Sequence, residues 1–241
     1  MKKRHFTWRF GAFLLVLSIL FAILFGIAEK TRTKNDVDAV NKTHASPLPT
    51  VILDAGHGGE DGGATSSDGL LEKDLNLALT LTMRDILTAN GVNVILTRET
   101  DTLLYDRNVD FQGQKKRLDM AARLKIANET TNAVFVSIHM NTYPNPSCQG
   151  VQVWYSENNE ASFELAKTIQ STTQELLQNE NDRTVKRSGS SIYLLRKLEC
   201  PAVLVECGFL SSPEEAALLA DESYRQQLAL VLCLGILRSI A

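Results

Sequence analysis

Three apolar runs, each ending abruptly in a polar residue, constrain this chain more than any other feature of its sequence. Val51-Ile-Leu leads into Asp54-Ala-Gly-His57, Ala133 to Ile138 leads into His139-Met-Asn141, and Ala202-Val-Leu-Val205 leads into Glu206. Short runs rich in Val, Ile and Phe favour strands. Between them lie stretches with helical spacing. Glu72 to Ala89 carries Leu75, Leu79, Ile86 and Leu87 and stops at Asn90-Gly91, a common helix terminus. The same reading predicts strands at Val92 to Leu96, Val151 to Tyr155 and Ile192 to Leu195. It predicts helices at Gln114 to Glu129, Ala161 to Gln178 and Tyr224 to Ile240, with another starting at Ser212-Pro213. Alternation of this kind implies one α/β domain, its sheet flanked by helices on both faces.

That domain occupies residues 49–241. Residues 1–28 read differently: Lys2, Lys3, Arg4 and Arg9 precede an uncharged run from Phe10 to Ala28. About 19 apolar residues approach the length that spans a bilayer. The basic flank lies N-terminal, so the rest of the chain is expected outside the cytoplasmic membrane. Gly26-Ile-Ala28 also fits a cleavage site, which leaves membrane anchor and removed signal peptide both open. Residues 29–48 are polar, without hydrophobic period, and close on Pro47-Leu-Pro49; they read as a flexible linker. The net charge of -3 gives no basic excess for nucleic acid. Cys148, Cys200, Cys207 and Cys233 form no C-x-x-C pair. Cys207 and Cys233 sit in apolar stretches and are expected in the core.

Open α/β sheets place ligand sites at the carboxyl ends of their strands, and imidazole is the commonest metal ligand. His57 and His139, the two histidines within the foldable region, both stand at such ends. A catalytic zinc site commonly takes three protein ligands and keeps a position for water. A carboxylate would complete the set: Glu72 opens the helix after the glycine-rich loop, and Glu60, Asp61 and Asp74 compete with it on spacing alone. A hydrolytic site also needs a base, and Glu206 ends the third strand. Each residue has a plainer reading. His57 could cap a helix, His139 could be a core histidine, Glu72 could complement a helix dipole, and Glu206 could be solvated. The loop glycines do not match a phosphate-binding pattern. Arg98 follows a strand and could bind a stem-peptide carboxylate or pair with Asp101; Asn141 is a candidate substrate contact.

The segments Leu53-Asp-Ala-Gly-His57-Gly-Gly-Glu60-Asp61, Leu71-Glu72-Lys-Asp74-Leu, Leu96-Thr-Arg98, Ser137-Ile-His139-Met-Asn141 and Pro201 to Ser211 resemble the zinc-dependent N-acetylmuramoyl-L-alanine amidases, in order and over the chain from about Thr50. The resemblance implies a twisted mixed sheet of about six strands. It implies Zn2+ held by His57, Glu72 and His139, and catalysis by Glu206. The reaction it implies is hydrolysis of the amide between the lactyl group of N-acetylmuramic acid and L-alanine in peptidoglycan. The layout of a short membrane segment before a bare catalytic domain resembles the germination-specific type, which acts on spore cortex. Need for an activating protein partner stays open. Cys207 departs from the small residue more usual after the glutamate. The alternatives are another zinc amidohydrolase, a peptidase or a deacetylase, and a non-catalytic wall-binding module. The last typically lacks the base that Glu206 would supply.

Overall fold

The computed structural model describes residues 48–106, 108 and 113–241. The segment at 1–28 and all but the last residue of the 29–48 linker lie outside these. Among the described residues no helix is long and apolar enough to cross a membrane.

Strands β1 (Thr50–Ala55), β2 (Val94–Leu96), β3 (Ala133–Asn141), β4 (Gln152–Tyr155), β5 (Lys186–Arg187) and β6 (Ala202–Phe209) form one sheet in the order β2-β1-β3-β6-β4-β5. β2, β1, β3 and β6 run parallel, and β4 lies antiparallel to β6. The sheet is therefore mixed. The helices are α1 (Glu72–Ala89), α2 (Lys115–Glu129), α3 (Ala161–Leu176), α4 (Tyr193–Lys197), α5 (Pro213–Ala220) and α6 (Glu222–Ile240). Ser212 caps α5, its hydroxyl accepting from Glu215 N–H.

Strand residues alternate between faces, and the two cores follow that alternation. Val51, Leu53, Val134, Val136, Ile138, Val203, Val205 and Cys207 point to one face, into a core shared with α1, α3 and α6. Ile52, Phe135, Ala202 and Leu204 point to the other, beneath α2 and α4. Continuing the alternation one step along each strand puts Asp54, Ser137, His139 and Glu206 on the α2/α4 face. The parallel register β1-β3-β6 pairs Asp54 with Ser137 and His139 with Glu206, so the C-terminal halves of three central strands deliver polar groups to one side. Cys207 is fully buried on the opposite face, as the core expectation for Cys207 and Cys233 requires.

Two elements differ from the sequence reading. Ile192 to Leu195 is not a strand; Tyr193–Lys197 forms α4. Leu194, Leu195 and Leu198 are buried together at positions i, i+1 and i+4, one face of a helix, and Arg196 and Lys197 in the last turn suit its C-terminal dipole. A four-residue apolar run does not separate the two periods. The sixth strand is instead β5, two exposed charged residues at the sheet edge. Edge strands carry such residues to discourage further pairing, so β5 has no hydrophobic signature.

Candidate metal centre

After β1 the chain turns sharply at Gly56 and His57. His57 has φ of 62°, the left-handed region that non-glycine residues rarely occupy. Two contacts hold it there. The backbones of Gly58 and Asp61 exchange hydrogen bonds of 3.0 Å, and the His57 carbonyl accepts from Arg123 Nη2 at 2.7 Å. The loop then folds back to start α1. Leu71, the N-cap, gives no side-chain bond; instead Glu72 N–H donates to the Ala64 carbonyl and Lys73 N–H to the Gly62 carbonyl. The glycine-rich loop thus satisfies orphan donors of the helix and sets the first-turn Glu72 beside His57.

Glu72 is buried and joins two elements to its own. Its Oε2 accepts from Ala64 N–H at 2.7 Å and lies 3.2 Å from His57 Nε2. Its Oε1 accepts from Met140 N–H at 3.0 Å and lies 2.9 Å from His139 Nδ1. The two imidazoles meet edge to face with centroids 5.0 Å apart. One ligand atom from each of His57, Glu72 and His139 falls within 4.8 Å of the others, and these three could hold a metal ion. Of the competing acids, Asp74 is exposed, Glu60 pairs with Lys115 at 2.8 Å, and Asp61 sits behind His57.

The electrostatics match this arrangement. Burial works to raise the Glu72 carboxyl, but His139 and His57 outweigh it and hold it well below the usual carboxylate range. Burial works to lower His57, yet Glu72 and Asp61 bring its value above the ordinary one. Glu206 behaves oppositely: burial pushes it up to about 7, against the pull of His139 and with a further push from Glu72. Its Oε2 is buried without a hydrogen-bond partner. Such an orphan is costly unless something else occupies the site.

Beside the histidines, a cavity of about 270 Å³ runs between α2 and α4. Met120, Ile192, Leu195 and Leu204 give it apolar walls, and Lys116 and Asp61 line it near His57. Arg98 is enclosed by backbone carbonyls. It is 3% exposed and donates to the carbonyls of Ala55, Gly56, Lys73 and Thr100, tying the loop after β1 to α1. Those bonds account for its placement without a substrate, and no ion pair joins it to Asp101, which bonds Lys73. Asn141 is half-buried at the end of β3, and its carbonyl accepts from Leu210 N–H. The register shifts between His139 and Asn141, so strict alternation does not carry the His139 face on to Asn141.

Sequence reasoning misses the buried charges beneath the site. Arg123 has no exposed surface and bonds Asp119 at 2.8 Å, Asp54 at 2.5 Å and the Ala55 carbonyl at 2.7 Å, besides that of His57. Ser137 and Thr97 hydroxyls complete the coordination of Asp54 at 2.6 and 2.8 Å. The only signal in the sequence is Asp119 and Arg123 at i,i+4 spacing within one helix, a pattern equally common on solvated faces.

Residues 51–238 match the family model described as N-acetylmuramoyl-L-alanine amidase. The chain belongs to this family. It is accordingly an enzyme, an N-acetylmuramoyl-L-alanine amidase acting on peptidoglycan. The germination-specific N-acetylmuramoyl-L-alanine amidase of Bacillus subtilis (strain 168) is 37% identical over 188 residues, covering 78% of each chain. The structure of the CwlD amidase from Clostridioides difficile, in complex with the GerS lipoprotein, superposes with a TM-score of 0.74 at 40% identity. It covers 79% of this chain and 98% of that one. The amidase AmiC2 of Nostoc punctiforme gives 0.66 at 33% identity, over 79% and 96% of the two chains. The two solved amidases share the fold of this chain, which resembles the CwlD type.

Proposed function

We propose that this amidase is a zinc enzyme of the spore cortex, in which His57, Glu72 and His139 hold the ion and Glu206 moves the proton. The observation that carries the metal assignment is the convergence of two imidazole nitrogens and one carboxylate oxygen within 4.8 Å. Two nitrogens and an oxygen on an open three-residue site form the donor set zinc takes in hydrolases. When bound, zinc supplies Lewis acidity, activating water and polarising the scissile carbonyl.

The chain's own groups do the rest. Glu72 spans both histidines and is itself held by two backbone N–H groups, which fixes the direction of all three donors. Glu206 shares the α2/α4 face with His139 across β3 and β6. Its unpaired oxygen is available to accept a proton and to return it to the departing alanine nitrogen. The cavity between α2 and α4 reaches His57 and His139 and gives a substrate room beside them.

The germination role is supported by the Bacillus subtilis relative's name and by the CwlD neighbour. That neighbour's complex with a lipoprotein supports a protein partner for this chain too. Because peptidoglycan lies outside the cytoplasmic membrane, the reading requires export, and residues 1–28 would serve as anchor or removed signal. Digestion of purified cortex and of vegetative peptidoglycan, followed by mass spectrometry, tests the assignment. The expected products are free L-alanine amino termini together with muramic acid stripped of peptide, with more turnover on cortex. Equal turnover on both walls would remove the cortex assignment, and loss of activity on chelation without recovery on adding zinc would remove the metal.

A further inference from the structure

The Asp61 carboxylate lies behind His57, on the opposite side of the ring from Glu72. Its Oδ2 is 3.0 Å from His57 Nδ1, while Nε2 of the same ring faces Glu72 at 3.2 Å. The Nδ1 atom is buried and makes no fully formed hydrogen bond, and the Asp61 carboxylate faces it. A neutral imidazole carries one proton, and the nitrogen that ligates a metal must be the one without it. The nitrogen turned to the shared donor cluster is Nε2, so the proton belongs on Nδ1. Buried there, it needs an acceptor, and Asp61 stands within reach.

Asp61 is itself fixed. Its backbone pairs with Gly58 in both directions, its Oδ1 accepts from Gly63 N–H at 3.3 Å, and Lys116 Nζ from the start of α2 lies 3.6 Å from Oδ2. The same short turn that forces His57 into its left-handed backbone therefore delivers the carboxylate to the back of its ring. We propose that Asp61 is a positioning residue that fixes the His57 tautomer and ring orientation, so that Nε2 presents its lone pair to the metal. This rests on the reading of His57, Glu72 and His139 as metal ligands. Carboxylates placed behind a ligating histidine typically alter metal affinity about 10- to 100-fold.

The test compares zinc affinity, by competition with a chromophoric chelator, for the full chain and for Asp61→Ala, Asp61→Asn and Glu60→Gln. Glu60→Gln removes a neighbouring charge of the same loop and serves as control. Asp61→Ala is expected to lose about 10- to 100-fold in affinity, Asp61→Asn to lose less because an amide oxygen still accepts, and Glu60→Gln to match the parent. Nitrogen-15 chemical shifts of the zinc-loaded parent should show the His57 proton on Nδ1 and the metal on Nε2. This readout does not depend on whether Asp61→Ala disturbs the loop. Equal affinity in Asp61→Ala, or metal on Nδ1 of His57, would overturn the proposal. Failure of the parent to bind zinc would instead overturn the metal reading beneath it.

Discussion

At Gly56 an added Cβ would lie 2.3 Å from both Cε1 and Nε2 of His139, and at Gly63 it would lie 2.5 Å from Oε2 of Glu72. Neither gap admits a methyl, and Gly63 also has φ of 69°, where an L side chain is strained. Two glycines thus shape the donor cluster by leaving room for its side chains. Gly56→Ala and Gly63→Ala are each expected to lower zinc affinity at least tenfold in a chelator competition. Gly189→Ala, where nothing lies within 4 Å of the new Cβ, should leave it unchanged. The buried, unpartnered oxygen of Glu206 leads to a different expectation. Glu206→Gln preserves shape and should keep zinc at full stoichiometry while reducing kcat by about a hundred- to ten-thousand-fold, the usual contribution of a general acid–base. Turnover within a few-fold of the parent, measured on the same peptidoglycan, would move the proton-transfer role to another group.

Among the elements, β1, β3 and β6 carry the site and are also the most legible in sequence. Each contains a β-branched apolar run with no competing helical period, and each strand continues past its first polar residue, to Ala55, Asn141 and Phe209. Glu72 is less legible: its carboxylate reaches both histidines only because the glycine loop caps α1 from outside the helix, a contact no local pattern records. The same is true of Arg123 on α2. It looks like one more surface charge, yet it ends fully buried between Asp54 and Asp119. Removing one member of such a cluster strands the others, so Arg123→Met is expected to destabilise by about 3–5 kcal/mol, read from chemical denaturation. Acid should act on the same cluster. Burial works to raise the Asp54 carboxyl, but Arg123 and the Ser137 and Thr97 hydroxyls hold it below the ordinary value, which is about 3.9. A group depressed on folding contributes its full stability above its unfolded value and loses it as pH falls through the folded one. Tm should therefore fall as pH drops below about 4 towards the depressed folded value, and Asp54→Asn should start lower at pH 6 and show a shallower fall. Parallel curves for parent and variant would assign the acid limb to other carboxylates.

For the whole molecule, the metal site joins parts of the chain far apart in sequence. His57 lies in the loop after β1, Glu72 begins α1 and His139 lies near the end of β3, so the loop, a covering helix and the sheet all meet at three donors. An ion bound there holds them only in the folded state, because the unfolded chain scatters positions 57, 72 and 139. Ligand that binds the native state alone stabilises it by RT ln(1 + [L]/Kd), about 2.7 kcal/mol at a hundred times Kd. Without the ion the two imidazoles each still face one oxygen of the buried Glu72 carboxylate, and the loop that holds His57 at positive φ has less to offset its strain. Chelation should lower Tm by several degrees, and stoichiometric zinc should restore it. Protection of the amides in residues 56–64 from hydrogen exchange should fall most, while β4 and α3, which supply none of the three donors, should change least. A uniform loss of protection across all helices would mean that the ion is required for the global fold, and that the loop after β1 is not a separately metal-ordered part of it.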